Sequence, residues 1–350
     1  MNSFIPKKYK GVVHLIFNMK EQKILARDFR TGRSFDNIPL VTIGVLSYNY
    51  SQYIETALDS LLTQSYPFIE LIIIDDYSED ISTPEKISQW IVVNNVHCTF
   101  IQNKKNLGIT KVSNILVERA KGKYISLFAT DDIMLPEKIE RQVKILEEAG
   151  EEYSMCYANV ETMDEDGKML GLFAKNEIYY ENNALEPYAF NKMSFATPSA
   201  LIRKDIYKKT GMYDERVLIE DYNFWIRVFA CYKVRFCDYP CIIYRIKKRS
   251  MIWDKWNENN KELYYHDRIL SNFQALKFIK NKRVTHHLKK KISQYLKALA
   301  VNRSKYLLKL MYYLLKHGYL RIPYKIVLST FLRYKLAQLR YGRKATSYNN

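Results

Sequence analysis

The sequence predicts an α/β protein built on a mostly parallel sheet flanked by helices, followed by a basic helical region. Three observations predict it. Between residues 40 and 149, short β-rich apolar runs alternate with segments of helical period, the pattern of consecutive βαβ units. Those runs are apolar throughout rather than alternating, as strands covered on both faces must be. The charge is also divided: residues 271–350 hold 19 Lys and Arg and no Asp or Glu, so nearly all of the net +18 lies in the last 80 residues. With 350 residues and 47% apolar content, the chain can bury a large domain and carry an appendage.

Each element follows in order. Residues 1–38 are a polar N-terminal extension with no assigned chemistry. A main domain is expected over 39–262 and the basic helical region over 263–350. Residues 40–46 read as a buried strand, broken by Ser47-Tyr48-Asn49-Tyr50. Ile54, Ala57, Leu58, Leu61 and Leu62 have helical spacing, and Pro67 closes that helix. Strands are predicted at 70–74, 96–101 and 124–128, and helices at 84–94, 109–120 and 136–149. Beyond these, strands are expected at 153–160 and 199–203, and helices at 204–209 and 222–232. The polar clusters all fall at carboxyl ends of strands, the edge where open α/β sheets bind ligands.

Five cysteines, Cys98, Cys156, Cys231, Cys237 and Cys241, contain no CxxC. Cys237 and Cys241 flank what reads as a strand. The set is read as reduced core thiols rather than zinc ligands, which fits a cytoplasmic protein. No signal peptide is recognisable, and no run of 18 uncharged apolar residues predicts a membrane span.

Three acidic pairs carry the candidate chemistry. Asp75-Asp76 follows one strand and Asp131-Asp132 another, and Glu220-Asp221 precedes a helix. Buried carboxylates are costly without partners, so they are expected to face a polar ligand. A hard divalent cation takes one or two carboxylates plus substrate phosphates. An acid beside an activated sugar can take a proton from an attacking hydroxyl. Helix capping is the structural alternative at all three places.

Taken in order, five motifs resemble those of the family 2 glycosyltransferases of the GT-A fold. They are Ser47-Tyr48-Asn49, Asp75-Asp76-Tyr77-Ser78, Asn106-Leu107-Gly108, the run from Asp131-Asp132 through Pro136 to Lys138, and Glu220-Asp221 with Trp225. The resemblance spans about residues 41–250. It implies that Ser47, Tyr48 and Asn49 cradle a nucleotide, that Asp75 and Asp76 contact the base, and that Asn106 and Gly108 lie beside the ribose. It implies Asp131 as the metal ligand for Mn²⁺ or Mg²⁺, Asp132 as its neighbour on the donor, and Asp221 as the catalytic base. Thr197-Pro198-Ser199 and the segment from Gly211 to Glu215 match the acceptor side.

Two departures from the family pattern stand out. Ala129 replaces the first acid of the metal-binding element. Lys247 stands where the family often carries His, either as a point charge on a diphosphate or as a solvated lysine.

The implied activity is transfer of a sugar, with inversion, from a nucleotide-diphosphate sugar, read as a UDP-sugar, to a hydroxyl acceptor. A lipid-linked glycan of surface polysaccharide or O-antigen synthesis is the expected acceptor. The alternative is a non-catalytic nucleotide-sugar-binding or scaffold protein. A nicotinamide dehydrogenase is excluded because no glycine follows the first strand. The cations at 289–291, 303–309 and 321–344 are interleaved with Leu, Tyr, Ile and Phe, which suits the surface of an anionic membrane. A basic helical domain packed on the main domain, or a dimer contact, is the plainer reading. No nucleic-acid motif accompanies the charge. The expected location is therefore cytoplasmic and peripheral on the inner face of the cell membrane.

Overall fold

The structure, a computed structural model, describes residues 38–174, 179–217, 219–247, 261–301, 304, 306–316, 329 and 332. The expectations for residues 1–37 and for the cations of 321–344 lie outside the described residues.

Three βα units open the chain: β1 (Val41–Ser47) and α1 (Ile54–Leu61), β2 (Ile69–Asp75) and α2 (Ser82–Val93), β3 (Thr99–Gln102) and α3 (Ile109–Arg119). Next come β4 (Tyr124–Ala129), a short β5 (Ile133–Met134) and α4 (Lys138–Ala149). β6 (Tyr153–Ala158), β7 (Glu161–Met163), β8 (Met169–Leu172), α5 (Leu185–Ala189), β9 (Leu201–Arg203) and α6 (Ile206–Thr210) follow. The later elements are α7 (Glu220–Cys231), β10 (Lys233–Cys237), β11 (Ile242–Arg245) and three helices, α8 (Lys261–Ala275), α9 (Lys282–Val301) and α10 (Tyr306–Lys316).

The main sheet has seven strands in the order β10-β6-β9-β4-β1-β2-β3. All neighbours are parallel except at β9, which runs antiparallel to both β4 and β6. Val41, Ile43 and Val45 on β1 and Ile72, Ile73 and Ile74 on β2 are buried, as parallel strands under helices require. α1 packs its Ile54, Ala57, Leu58 and Leu61 stripe inward. A second sheet, β5-β11-β7-β8, lies beyond the acidic end of β4.

Several elements depart from the sequence reading. β3 begins at Thr99 rather than at residue 96, since Val96 to Cys98 lie outside the ladder with β2. α4 begins at Lys138, not Pro136, because residues 133–134 are drawn into β5 and Leu135 N–H bonds to the Cys241 carbonyl at 3.0 Å. The predicted 199–203 strand divides into a 3₁₀ turn, Thr197–Ser199, and β9. Cys237 and Cys241 do not flank a strand: β10 ends at the first and β11 begins after the second. All five cysteines are free. Cys237 lies within reach of both Cys156 and Cys241, a convergence that their spacing does not reveal. Lys138 is buried beside them, its ammonium on Ser126 Oγ (2.8 Å), Gln142 Oε1 (3.1 Å) and the Ala200 carbonyl (3.4 Å). Burial pulls its pKa down to about 8.

The chain forms two compact units. The first runs to Tyr213 and takes in Tyr232–Lys248; the second takes in Asp214–Cys231 and the chain from Arg249. The helix with Asp221 thus belongs with the C-terminal helices, not with the strands on either side of it. In the second unit, Val217, Ile269, Leu270, Phe273, Ile292, Leu296, Leu299, Leu307, Leu310 and Leu314 share one core.

Candidate active site

β1 is flanked by β2 on one side and β4 on the other, so the sheet is built outward in both directions from this strand. Such a reversal opens a crevice at the carboxyl ends of the strands. The segments following β1, β2 and β4 all reach that edge.

Ser47 is buried at the end of β1, with its Oγ 3.5 Å from Thr130 Oγ1, and its carbonyl accepts the Asp76 N–H at 2.9 Å. Tyr48 is half-buried. Asn49 is left-handed (φ 58°), a conformation asparagine tolerates. Its N–H donates to Ser78 Oγ at 2.9 Å, and its Oδ1 accepts from the N–H groups of Glu79 (2.8 Å) and Asp80 (3.4 Å). Asn49 therefore latches the β1 turn to the β2 turn.

The Asp75 carboxylate accepts the Ser78 hydroxyl at 2.5 Å and the Ser78 N–H at 3.1 Å. Burial raises its pKa, against the pull of those Ser78 bonds. Asp76 takes three donors: Asn103 Nδ2 (2.8 Å), Leu107 N–H (2.9 Å) and Gly108 N–H (2.8 Å). Gly108, at φ 83°, turns the chain so that its N–H points back to Asp76. Asn106 is exposed on this loop. Neither acid caps a helix: α2 begins at Ser82, whose N–H bonds to Asp80 Oδ1 at 3.0 Å. Both acids shape the loops that wall the crevice.

At the end of β4, Asp131 Oδ2 lies 2.6 Å from Lys247 Nζ, with side-chain exposures of only 12% and 15%. Lys247 is therefore not a solvated lysine. Its ammonium also donates to the Tyr50 hydroxyl and sits 3.9 Å above the centre of the Tyr50 ring. Burial works against the charge of Lys247, but Asp131 and Tyr50 outweigh it and raise its pKa. Asp132 is buried. Its Oδ1 accepts the Arg245 N–H at 2.9 Å, while Oδ2 has no partner among the described residues. Burial, and then the charge of Asp131, push its pKa well up. The Arg245 guanidinium donates to the main-chain carbonyls of Asp131 (2.9 Å), Asp164 (3.1 Å) and Glu165 (3.1 Å), and lies 4.0 Å from the Tyr53 ring centre.

This group is assembled by the small sheet. β11 pairs antiparallel with β5, placing Ile243 opposite Ile133, so the chain after Ile243 runs back along the Asp131-Asp132 turn. β5 has two residues, too few for periodicity to declare. The sequence therefore points to Lys247 only as a departure from a motif, and it misses Arg245, Tyr50 and Asn103. Asp221 lies in the first turn of α7, in the second unit. Its Oδ1 accepts the N–H of Tyr222, whose hydroxyl bonds to Asn272 Oδ1 at 2.9 Å.

Cavity size does not single out this edge. A larger cavity, about 630 Å³, lies at the opposite edge of the sheet, where Gly122 and Lys123 lead into β4 and Arg203 ends β9. Beside the acidic turn is a smaller one of about 170 Å³, lined by Tyr53, Ile133, Met163, Glu165, Ile243 and Arg245 among others. The convergence of charge marks the site instead.

A divalent cation would have Asp131 and the unpartnered oxygen of Asp132 to draw on. Asp131 is already ion-paired, Ala129 offers no oxygen beyond its main chain, and among the described residues no three of His, Cys, Asp and Glu come together as a metal's ligand set. The donor set does not fit a resident metal.

A mostly parallel sheet with an acidic crevice at its point of reversal is the GT-A glycosyltransferase architecture, and solved structures agree. S. aureus TarS in complex with UDP-GlcNAc superimposes with a TM-score of 0.56 at 16% identity, over 74% of this chain and 72% of that one. The Pyrobaculum calidifontis mannosyltransferase PcManGT, in complex with GDP-Man and Mn²⁺, does so with 0.52 at 16% identity, over 85% of each. Residues 42–211 match Glycosyl transferase family 2. An uncharacterized glycosyltransferase of Methanocaldococcus jannaschii is 29% identical over 65% of this chain and 78% of its own length. The amylovoran biosynthesis glycosyltransferase AmsE of Erwinia amylovora is 28% identical over 54% of this chain and 69% of its own.

Proposed function

We propose that this glycosyltransferase takes a UDP-sugar donor in the crevice between β1 and β4. In this reading it transfers the sugar, with inversion, to a hydroxyl of a lipid-linked glycan in surface polysaccharide synthesis. The observation that carries the reading is the ring of side chains at the sheet's point of reversal, with the Asp76-bound loop on one side and the Asp131–Lys247 pair on the other. A nucleoside fits the first wall, which offers loop edges, and a diphosphate fits the second, which offers a cation. The complex of a structural neighbour with UDP-GlcNAc supports the choice of donor, and amylovoran biosynthesis by a relative supports the product class.

In the reaction the bond between the anomeric carbon and the diphosphate oxygen breaks, and its electron pair leaves on that oxygen. The acceptor oxygen bonds to the opposite face of the carbon and gives up its proton. Asp221 is assigned that proton on its place in the family motif. The donor set at Asp131, already ion-paired to Lys247, does not match Mn²⁺ or Mg²⁺. The ion remains a variable in the experiments. Non-catalytic binding is the competing reading.

Calorimetric titration with UDP, GDP and their common sugar conjugates tests the donor, and a radiolabelled-sugar release assay on wild type and Asp221→Asn tests catalysis. Binding of one conjugate, with release lost by about 10² or more in Asp221→Asn, is the expected result. Binding without release in the wild type would leave a nucleotide-sugar-binding protein.

A further inference from the structure

We propose that the Lys247 ammonium, held by Asp131 and Tyr50, is the cation that receives the donor's diphosphate, doing here what a divalent ion does in the sites this family's motif describes. The inference rests on the nucleotide-sugar reading above and names the group that binds its charged part.

The geometry points to it in four ways. An ammonium has three donors, and among the described residues Asp131 and Tyr50 take two, leaving one for a ligand. The position is right, because Asp131 follows β4 and Tyr50 follows β1, so the ammonium stands at the mouth of the crevice between them. The charge is fixed in place: both members of the pair are largely buried, and the cation lies against the Tyr50 ring. A second cation supports it from behind, since the Arg245 guanidinium is held by main-chain carbonyls and forms no ion pair among the described residues. Arg245 is thereby a positioning residue: it anchors the Asp131 carbonyl and biases the local field.

A divalent ion on Asp131 would have to displace Lys247 or stand beside it against like-charge repulsion. Ala129 and Lys247 are complementary departures. One removes an anionic ligand, and the other installs a covalently attached cation. Asp131 then becomes the anchor of the lysine. When the diphosphate oxygen takes the electron pair of the breaking bond, the ammonium donates a charge-assisted hydrogen bond to the leaving group, and the proton stays on Lys247.

The test uses the full chain and calorimetry with UDP, GDP, UMP and GMP, each in EDTA and in Mn²⁺, on wild type, Lys247→Gln and Lys247→Arg. Circular dichroism melts confirm that each variant is folded. The expected result is diphosphate binding in EDTA that Lys247→Gln weakens about tenfold or more. Lys247→Arg should restore part of it, Mn²⁺ should not, and monophosphate binding should hardly change. A merely structural lysine would weaken mono- and diphosphates alike, which would overturn the assignment. Binding that requires Mn²⁺ and is unchanged or tighter in Lys247→Gln would overturn it too, while leaving the nucleotide reading intact. No binding of either diphosphate under either condition would overturn the nucleotide reading, and the lysine's role with it.

Discussion

Asp214 shows at the scale of one residue how a carboxylate can be spent on structure. It accepts Arg216 Nε at 2.7 Å, Arg216 Nη2 at 2.6 Å and the Arg216 N–H at 3.0 Å, and it also accepts from Gln274. Burial, the largest single influence, pushes its pKa up, but the Arg216 and Gln274 bonds prevail and hold it down. A lowered pKa in the folded state stabilises fully above the unfolded value, and that stability is lost as pH falls through the folded value. Asp214→Asn should therefore destabilise the protein by about 1–3 kcal/mol at pH 7. The difference should shrink as pH drops below about 4, the ordinary aspartate value. Urea unfolding of the two proteins across that range measures it, and a pH-independent difference would mean that the charge is irrelevant. The sequence placed Asp214 in a motif on the acceptor side, whereas the structure shows it tying the start of the second unit to α8. Asp75 and Asp76 are likewise engaged by hydrogen bonds within the chain. Their carboxylate chemistry was legible, and so was Ser78 beside Asp75, but the hydrogen bonds that occupy Asp76 come from residues 27 to 32 positions away and leave no local trace.

At the scale of elements, what was legible depended on length and apolar continuity. β1, β2, β4 and their helices declare themselves because each strand is six or seven residues of unbroken β-rich sequence or nearly so. β5, β7 and β8 have two to four residues, too few for a period to show, and the strand that joins β5 to β7, β11, lies about 80 to 110 residues further along the chain. The charged centre of the site is assembled by these short strands, which is why it was the least legible part. The α3–β1 contact offers a test of the larger layer. A methyl group on Gly44 would fall within the side chain of Leu116, itself fully buried on α3. Gly44→Ala should cost about 1–3 kcal/mol by overpacking. Combined with Leu116→Ala, which alone costs about 2–5 kcal/mol, it should show a favourable coupling of about 0.5–3 kcal/mol. Chemical denaturation of the two single variants and the double variant gives that term. Strict additivity would mean that helix and strand separate to accommodate the methyl.

At the scale of the molecule, the excess charge raises the question of what the second unit does with it. The sequence suggested helices laid apolar face inward on an anionic membrane. In α9, however, Val284, Leu288, Ile292, Leu296 and Leu299 are buried, mostly in the unit's own core, whereas Lys282, Arg283, Lys289, Lys290 and Lys297 are exposed. The apolar face is already used, and among the described residues no helix is long and apolar enough to cross a membrane. Any attraction to a lipid surface through α9 must then be electrostatic, worth about 1 kcal/mol per cation near the headgroups and screened within a Debye length. This makes the proposed peripheral location testable. Sedimentation with phosphatidylserine-containing vesicles should carry down most of the protein at 50 mM salt and little at 500 mM. Pure phosphatidylcholine vesicles should carry down little at either. Lys289→Glu, Lys290→Glu and Lys297→Glu together should weaken anionic binding about tenfold or more without altering nucleotide affinity at the first unit. Salt-insensitive binding to neutral vesicles would instead point to apolar insertion by residues beyond α9. Failure to bind anionic vesicles at low salt would remove the membrane from the account and leave these cations to an acidic macromolecular partner.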